Sequence, residues 1–141
     1  MFDELEEYKN NDHFFLSPDD NLEKVCNAPK NAIGVYLVYA LKKGHVILVY
    51  IGSSGKIKRD GRIKPGNGGL YDSLVNENQF NEPKKLSWKI KMKKEKIDAL
   101  DIYWYATYNE EIHDLPLYAK AIVMQKYFDL NGELPEWNTE F

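Results

Sequence analysis

Residues 34–55 read GVYLVYALKKGHVILVYIGSSG. Two apolar runs rich in β-branched residues and tyrosine flank Lys42-Lys43-Gly44, which predicts strands over Ile33 to Leu41 and Val46 to Ile51 joined by a short glycine-containing hairpin. Neither run alternates, as expected of interior strands covered on both faces. A three-residue loop with Gly44 left-handed would set Leu41 opposite His45 and, counting outward, Tyr36 opposite Tyr50, so that both phenols share one face. A slip of one residue would separate them. Their recurrence raises a question, because valine or isoleucine would pack there equally well. Either these are ordinary strand aromatics, or the phenols face a functional cleft.

Outward from the hairpin, Ser17-Pro18-Asp19-Asp20 reads as a helix start leading through Leu22, Val25 and Cys26. Residues 1–32 are thus expected to be a helical extension of a core over 33–138, in a single domain spanning 1–141. After the hairpin come a glycine-punctuated basic loop, SSGKIKRDGRIKPGNGG over 53–69, and a short helix from Leu70 to Val75, continuing to Asn76. A lysine-rich helix within 83–97 follows, with Ser87 as its N-cap and Trp88, Ile90 and Met92 on it. DIYWYAT, Asp101 to Thr107, is a third strand. The last helix opens near Asp114, with Pro116 in its first turn, and closes at Gly132. The fold class expected is α+β: a small central three-stranded antiparallel sheet flanked by helices.

With 141 residues, 43% of them hydrophobic, the chain can bury one core and is short for two. Cys26 stands alone, which excludes an internal disulfide, and His13, His45 and His113 are too dispersed for a zinc site. No stretch has the apolar length that crosses a bilayer, so no membrane partner and a soluble, cytoplasmic protein are expected. The net charge of −3 hides a local polarity: residues 56–96 hold twelve Lys or Arg against five Asp or Glu. Such a patch either is a solvated lysine-rich surface or draws in phosphates through counterion release.

The final helix is apolar nearly all round, except that Lys120 shares a face with Val123, Met124 and Tyr127. The ammonium either snorkels to water or points into a cleft, since an unpaired buried charge is costly.

In order and spacing these segments resemble the GIY-YIG nucleases, named for two short motifs on adjacent antiparallel strands. Here the motifs are Gly34-Val35-Tyr36 and Tyr50-Ile51-Gly52. Leu70-Tyr71-Asp72-Ser73-Leu74 is similar to the family's Leu-x-x-Arg-Leu helix, DIYWYAT to its third strand, LPLYAKAIVMQKYF to its glutamate-bearing helix, and Pro135-Glu136-Trp137-Asn138 to its close. The resemblance implies a DNA endonuclease in which Tyr36 and Tyr50 line the cleft, the first acting on the attacking water as base or hydrogen-bond partner, while Gly34, Gly52 and Asn138 are motif positions. It also implies Mg²⁺ or Mn²⁺ as cofactor if the site is active. Two positions depart from the pattern: Ser73 stands where the family has its phosphate-steadying arginine, and Lys120 where it has the metal-binding glutamate. A short hydroxyl cannot supply a bidentate cation, and an ammonium repels a divalent metal. Hydrolysis is therefore expected to be impaired or absent. Lys56, Lys58, Arg59, Arg62, Lys64, Lys85 and Lys89 are the expected nucleic-acid contacts, with DNA as the partner. The alternative is a member of the same fold that binds DNA or a protein, or pairs with its own copy, without cutting. Arg59 or Arg62, and Glu110 or Glu111, are the conceivable substitutes for the lost arginine and glutamate.

Overall fold

The turn at Lys43-Gly44 fixes the sheet. Both residues are left-handed, with φ of 51° and 77°, the combination whose twist matches that of the strands it joins. In the computed structural model, which describes residues 2–64 and 69–141, this two-residue turn connects β2 (Ile33–Lys42) to β3 (His45–Ser54). The hairpin closes on Lys42 opposite His45, one residue short of the register expected from a three-residue loop. The ladder then slips again between Val38 and Tyr39: Tyr39 faces Leu48, whereas Val38 faces Tyr50, leaving Val49 as the extra residue of a bulge. Beyond it Tyr36 lies opposite Gly52, and not opposite Tyr50 as anticipated.

Four further strands and four helices complete the main framework. β1 (Asn11–Leu16) is followed by the one-turn helix α1 (Leu22–Val25); after β3 come α2 (Gly69–Asn76), a miniature hairpin of β4 (Asn78–Gln79) and β5 (Glu82–Pro83), α3 (Lys84–Glu95), β6 (Ala99–Tyr108) and α4 (Pro116–Asn131). The main sheet is antiparallel in the order β1-β6-β2-β3. It has four strands, one more than the sequence suggested, because the N-terminal region contributes β1. Phe14 and Leu16 of that strand point inward while Phe15 between them stays exposed, so the amphipathic period is two and not helical. Ser17 starts no helix. Its amide bonds Asp20 Oδ2, and Asn21 caps α1 by accepting from the Glu23 amide at 2.9 Å.

The sheet separates two apolar layers. On one face Tyr36, Val38 and Ala40 pack with Leu70 and Leu74 of α2 and with Trp88 and Met92 of α3. On the other, Val35, Leu37 and Ile51 meet Ala119, Val123 and Met124 of α4, together with Leu5 and Tyr8. β2 is buried through most of its length, as a strand with both faces covered must be. The lysine-rich helix begins one turn before Ser87, directly after Pro83; Ser87 is inside it and buried. Gly132 ends α4 in the left-handed conformation, as expected. No helix among the described residues is long and apolar enough to cross a membrane.

Candidate functional site

Two half-slips of the ladder bring the tyrosines together. A hairpin with the observed turn but no bulge would set Tyr36 opposite Ile51 and turn Tyr50 to the other face. The extra residue at Val49 restores the phase. Tyr36 and Tyr50 therefore point into the same layer, their ring centroids 6.0 Å apart at 44°. Gly52 makes room for this: a Cβ on it would lie 2.4 Å from Cζ of Tyr36 and 2.6 Å from its hydroxyl. Gly34 serves a different need, since a Cβ there would meet the Tyr105 carbonyl oxygen at 2.0 Å, where the β2–β6 ladder shifts register. Asn138 secures the outer edge of β3. Its side chain accepts from the Ile51 amide and donates to the Ile51 carbonyl, both at 2.9 Å, while the Trp137 amide bonds the Val49 carbonyl at 2.8 Å.

Ser73, from α2, is buried beside Tyr36. Burial raises the pKa of the Tyr36 phenol well above that of free tyrosine, and the charge of Glu77 adds to this; the Ser73 and Tyr50 hydroxyls act the other way. The Ser73 hydroxyl itself forms no hydrogen bond of good geometry. Tyr50 is shifted upward too, first by burial and then by Tyr36, with Lys84 opposing. Both phenols are thus neutral near pH 7, which makes them hydrogen-bond donors and poor bases. Tyr36, 1% exposed, has almost no contact with solvent as it stands.

The residue that sequence reasoning missed is Lys84. It is 3% exposed at the first position of α3, and its ammonium donates to the Ser73 carbonyl at 3.0 Å and lies 5.8 Å from the Tyr36 ring centroid. Burial lowers its pKa, while Glu77 and Tyr50 favour its charged form. Nothing in the sequence separates it from Lys85, which is half-exposed and 4.0 Å from Glu23. Only the placement of Pro83 just before the helix, with Trp88 one turn further on, could have hinted that position 84 faces inward.

Lys120 does not join this group. It belongs to α4, which covers the opposite face of the sheet, and its ammonium sits 5.4 Å from the Phe141 ring centroid. Burial alone lowers its pKa, and its charge is not among those acting on the two phenols. A divalent metal is not matched by the donors present: the described residues hold no group of three His, Cys, Asp or Glu able to bind one, and position 120 carries an ammonium.

The basic loop forms a small hairpin, with Ile57 bridged to Ile63 and Tyr108 donating to the Gly61 carbonyl. Lys56, Lys58, Arg59, Arg62 and Lys64 are exposed on it, Arg62 being paired with Asp60 at 2.8 Å. Positions 65–68 of the loop lie outside the described residues. On one side of this hairpin a cleft of about 700 Å³ is lined by Ser53, Lys56, Asp72, Glu77 and the start of α4. On the other, about 600 Å³ is lined by Arg62, Tyr108, Glu110, Glu111 and His113. Arg62, Glu110 and Glu111 therefore meet in that second cavity. On α3, Lys89 is half-buried, Lys91 pairs with Glu95 and Lys93 with Asp19. Trp88 is fully buried, its indole donating to Gln79 at 2.7 Å, so it offers no stacking platform for a base.

Protein-family models, curated proteins and solved structures were all compared with the chain, and none matches it.

Proposed function

We propose that the chain is a phosphodiester-binding domain of GIY-YIG type, with DNA as its partner in the cytoplasm and metal-dependent hydrolysis impaired or absent. The observation that carries this reading is the convergence of Tyr36 and Tyr50 on one buried face, achieved through a bulge and a glycine whose missing side chain the phenol occupies. Packing alone requires neither hydroxyl. The basic hairpin stands beside α2, where Lys56 and Glu77 line one cleft, and Glu77 also acts on both phenols.

In this reading Tyr36 and Tyr50 donate hydrogen bonds to a phosphate oxygen or hold a water against it, and the exposed hairpin lysines and arginines follow the backbone. Hydrolysis with Mg²⁺ or Mn²⁺ is weak because Ser73 cannot steady the charge that develops on the phosphate and the described residues bring no group of carboxylates together to hold the metal. A single lost electrostatic donor costs about two to three decades in rate.

The experiment is duplex DNA binding measured across increasing salt, with a parallel incubation in Mn²⁺. Binding whose affinity falls steeply with salt and little or no cleavage is the expected outcome. No binding at low salt would remove the DNA reading, and rapid cutting would remove the claim of impairment. One observation favours a second reading, a protein-binding member of the fold: Leu117 and Phe128 share one face of α4 and are both exposed. Affinity for a protein partner or a second copy through that face would respond little to salt.

A further inference from the structure

We infer that Lys84 is the cation that holds the phosphate beside Tyr36 and Tyr50, delivered from α3 to the place where Ser73 on α2 carries no charge. The inference rests on the phosphodiester reading above and adds a residue to it.

Three facts make Lys84 an odd structural lysine. Its ammonium has three donors and, among the described residues, one acceptor, the Ser73 carbonyl. No carboxylate among those residues comes within 4.0 Å of it, Glu77 acting only at longer range. It also stands at the first position of α3, the positive end of the helix dipole, in a first turn without an acidic residue. A buried cation left this poorly compensated is destabilising, and a methionine of similar length would pack there at lower cost.

An anion removes the anomaly. Two free ammonium donors, together with the phenols of Tyr36 and Tyr50, match a tetrahedral anion with two unesterified oxygens. The Lys84 ammonium bonds the carbonyl of Ser73, whose own short side chain carries no charge and, among the described residues, forms no hydrogen bond of good geometry. The exposed basic hairpin supplies Lys56, Lys58 and Arg59 for neighbouring phosphates of the same strand.

The test compares the unmodified chain, Lys84→Met, Lys84→Arg and Lys58→Ala with Arg59→Ala, each titrated with a 20-base-pair DNA duplex at several salt concentrations. Lys84→Met is expected to bind about tenfold more weakly, with a salt slope smaller by about one, while its thermal midpoint is unchanged or higher. Lys84→Arg should retain most of the affinity. In the unmodified chain, ¹⁵N-labelled lysine should show one shielded side-chain resonance, lost in Lys84→Met, that moves on addition of duplex and of inorganic phosphate. If Lys84→Met binds as tightly as the unmodified chain with the same slope, while the hairpin variant is weakened, the role of Lys84 is overturned and DNA binding stands. If the unmodified chain binds no duplex but its Lys84 resonance still moves with inorganic phosphate, the anion site stands and DNA as its source is wrong. A resonance indifferent to both probes overturns the inference outright.

Discussion

The Tyr36 phenol occupies the space a side chain would fill on Gly52. The two residues are cross-strand partners, and a Cβ at position 52 would stand 2.4 Å from the Tyr36 ring. Tyr36 cannot withdraw, because it is enclosed by Ser73, by α2 and α3, and by Tyr50. Gly52→Ala is expected to cost about 1 to 3 kcal/mol in urea unfolding, the range typical of overpacked cores, and to weaken DNA binding by displacing the phenol. Tyr36→Phe with Gly52→Ala should recover little of the stability, since the clash involves the ring as well as the hydroxyl. Full recovery by Phe would mean that the hydroxyl alone is in the way.

Asn138 acts on the same motif from outside. Its amide satisfies both backbone groups of Ile51 on the open edge of β3, and it is itself nearly buried. Asn138→Ala should cost about 2 to 4 kcal/mol, because two buried backbone groups lose their partners at once. Hydrogen exchange locates the effect: the Ile51 amide should lose protection more than the amides of β6. Equal loss across the sheet would show that Asn138 supports the fold generally and not this edge.

Much of this arrangement was legible in the sequence. The hairpin, the third strand, α2 and α4 follow from apolar runs, Gly44, Pro116 and Gly132. The phase of the hairpin was not, because the bulge falls inside Ile47-Leu48-Val49-Tyr50, where every residue is an equally good strand former and none marks an irregularity. β1 was hidden for the opposite reason: Ser17-Pro18-Asp19 copies a helix start, while Asn11-Asp12-His13 is poor strand sequence stabilised by its pairing with β6. At the site, the tyrosines could be read from their motif, but Lys84 could not be told from the lysines around it. Which of several identical residues turns inward is decided by the helix start, and a buried Ser87 without a capping role displaced that start by one turn.

The alkaline limb of stability should show two opposing slopes. Tyr36 and Tyr50 hold their protons above the ordinary tyrosine value of 10.0, and burial pushes Tyr39 up to about 12. Past about pH 10 the unfolded chain loses protons that the folded chain keeps, so stability falls as pH rises. Lys84 and Lys120 are shifted below the ordinary lysine value of 10.5, so up to that pH the unfolded chain binds more protons and stability climbs. Burial also pushes the Cys26 thiol from 9.0 up to about 11, which adds to the fall from about pH 9, so denaturant unfolding between pH 8 and 11 at constant ionic strength should pass through a maximum between about pH 9 and 10. Lys84→Met should flatten the climb and leave the fall. An identical profile in the two proteins would show that the Lys84 ammonium is not penalised by burial.

An arginine at position 73 is expected to compete with the lysine at position 84 for the buried space beside Tyr36. Ser73 is 1% exposed and Lys84, itself 3% exposed, bonds its carbonyl. Ser73→Arg, which puts at this position the arginine of the nucleases the sequence resembles, should therefore destabilise the chain by about 2 to 4 kcal/mol, through overpacking and a second buried cation. Lys84→Ala opens the volume and removes the like charge, so the double variant should be more stable than the two single changes predict, with a coupling above about 1 kcal/mol. Urea unfolding of the four proteins measures that coupling, and DNA affinity of the double variant checks the chemistry: a guanidinium from α2 should replace an ammonium from α3. Additive stabilities would show that the two side chains do not share the space.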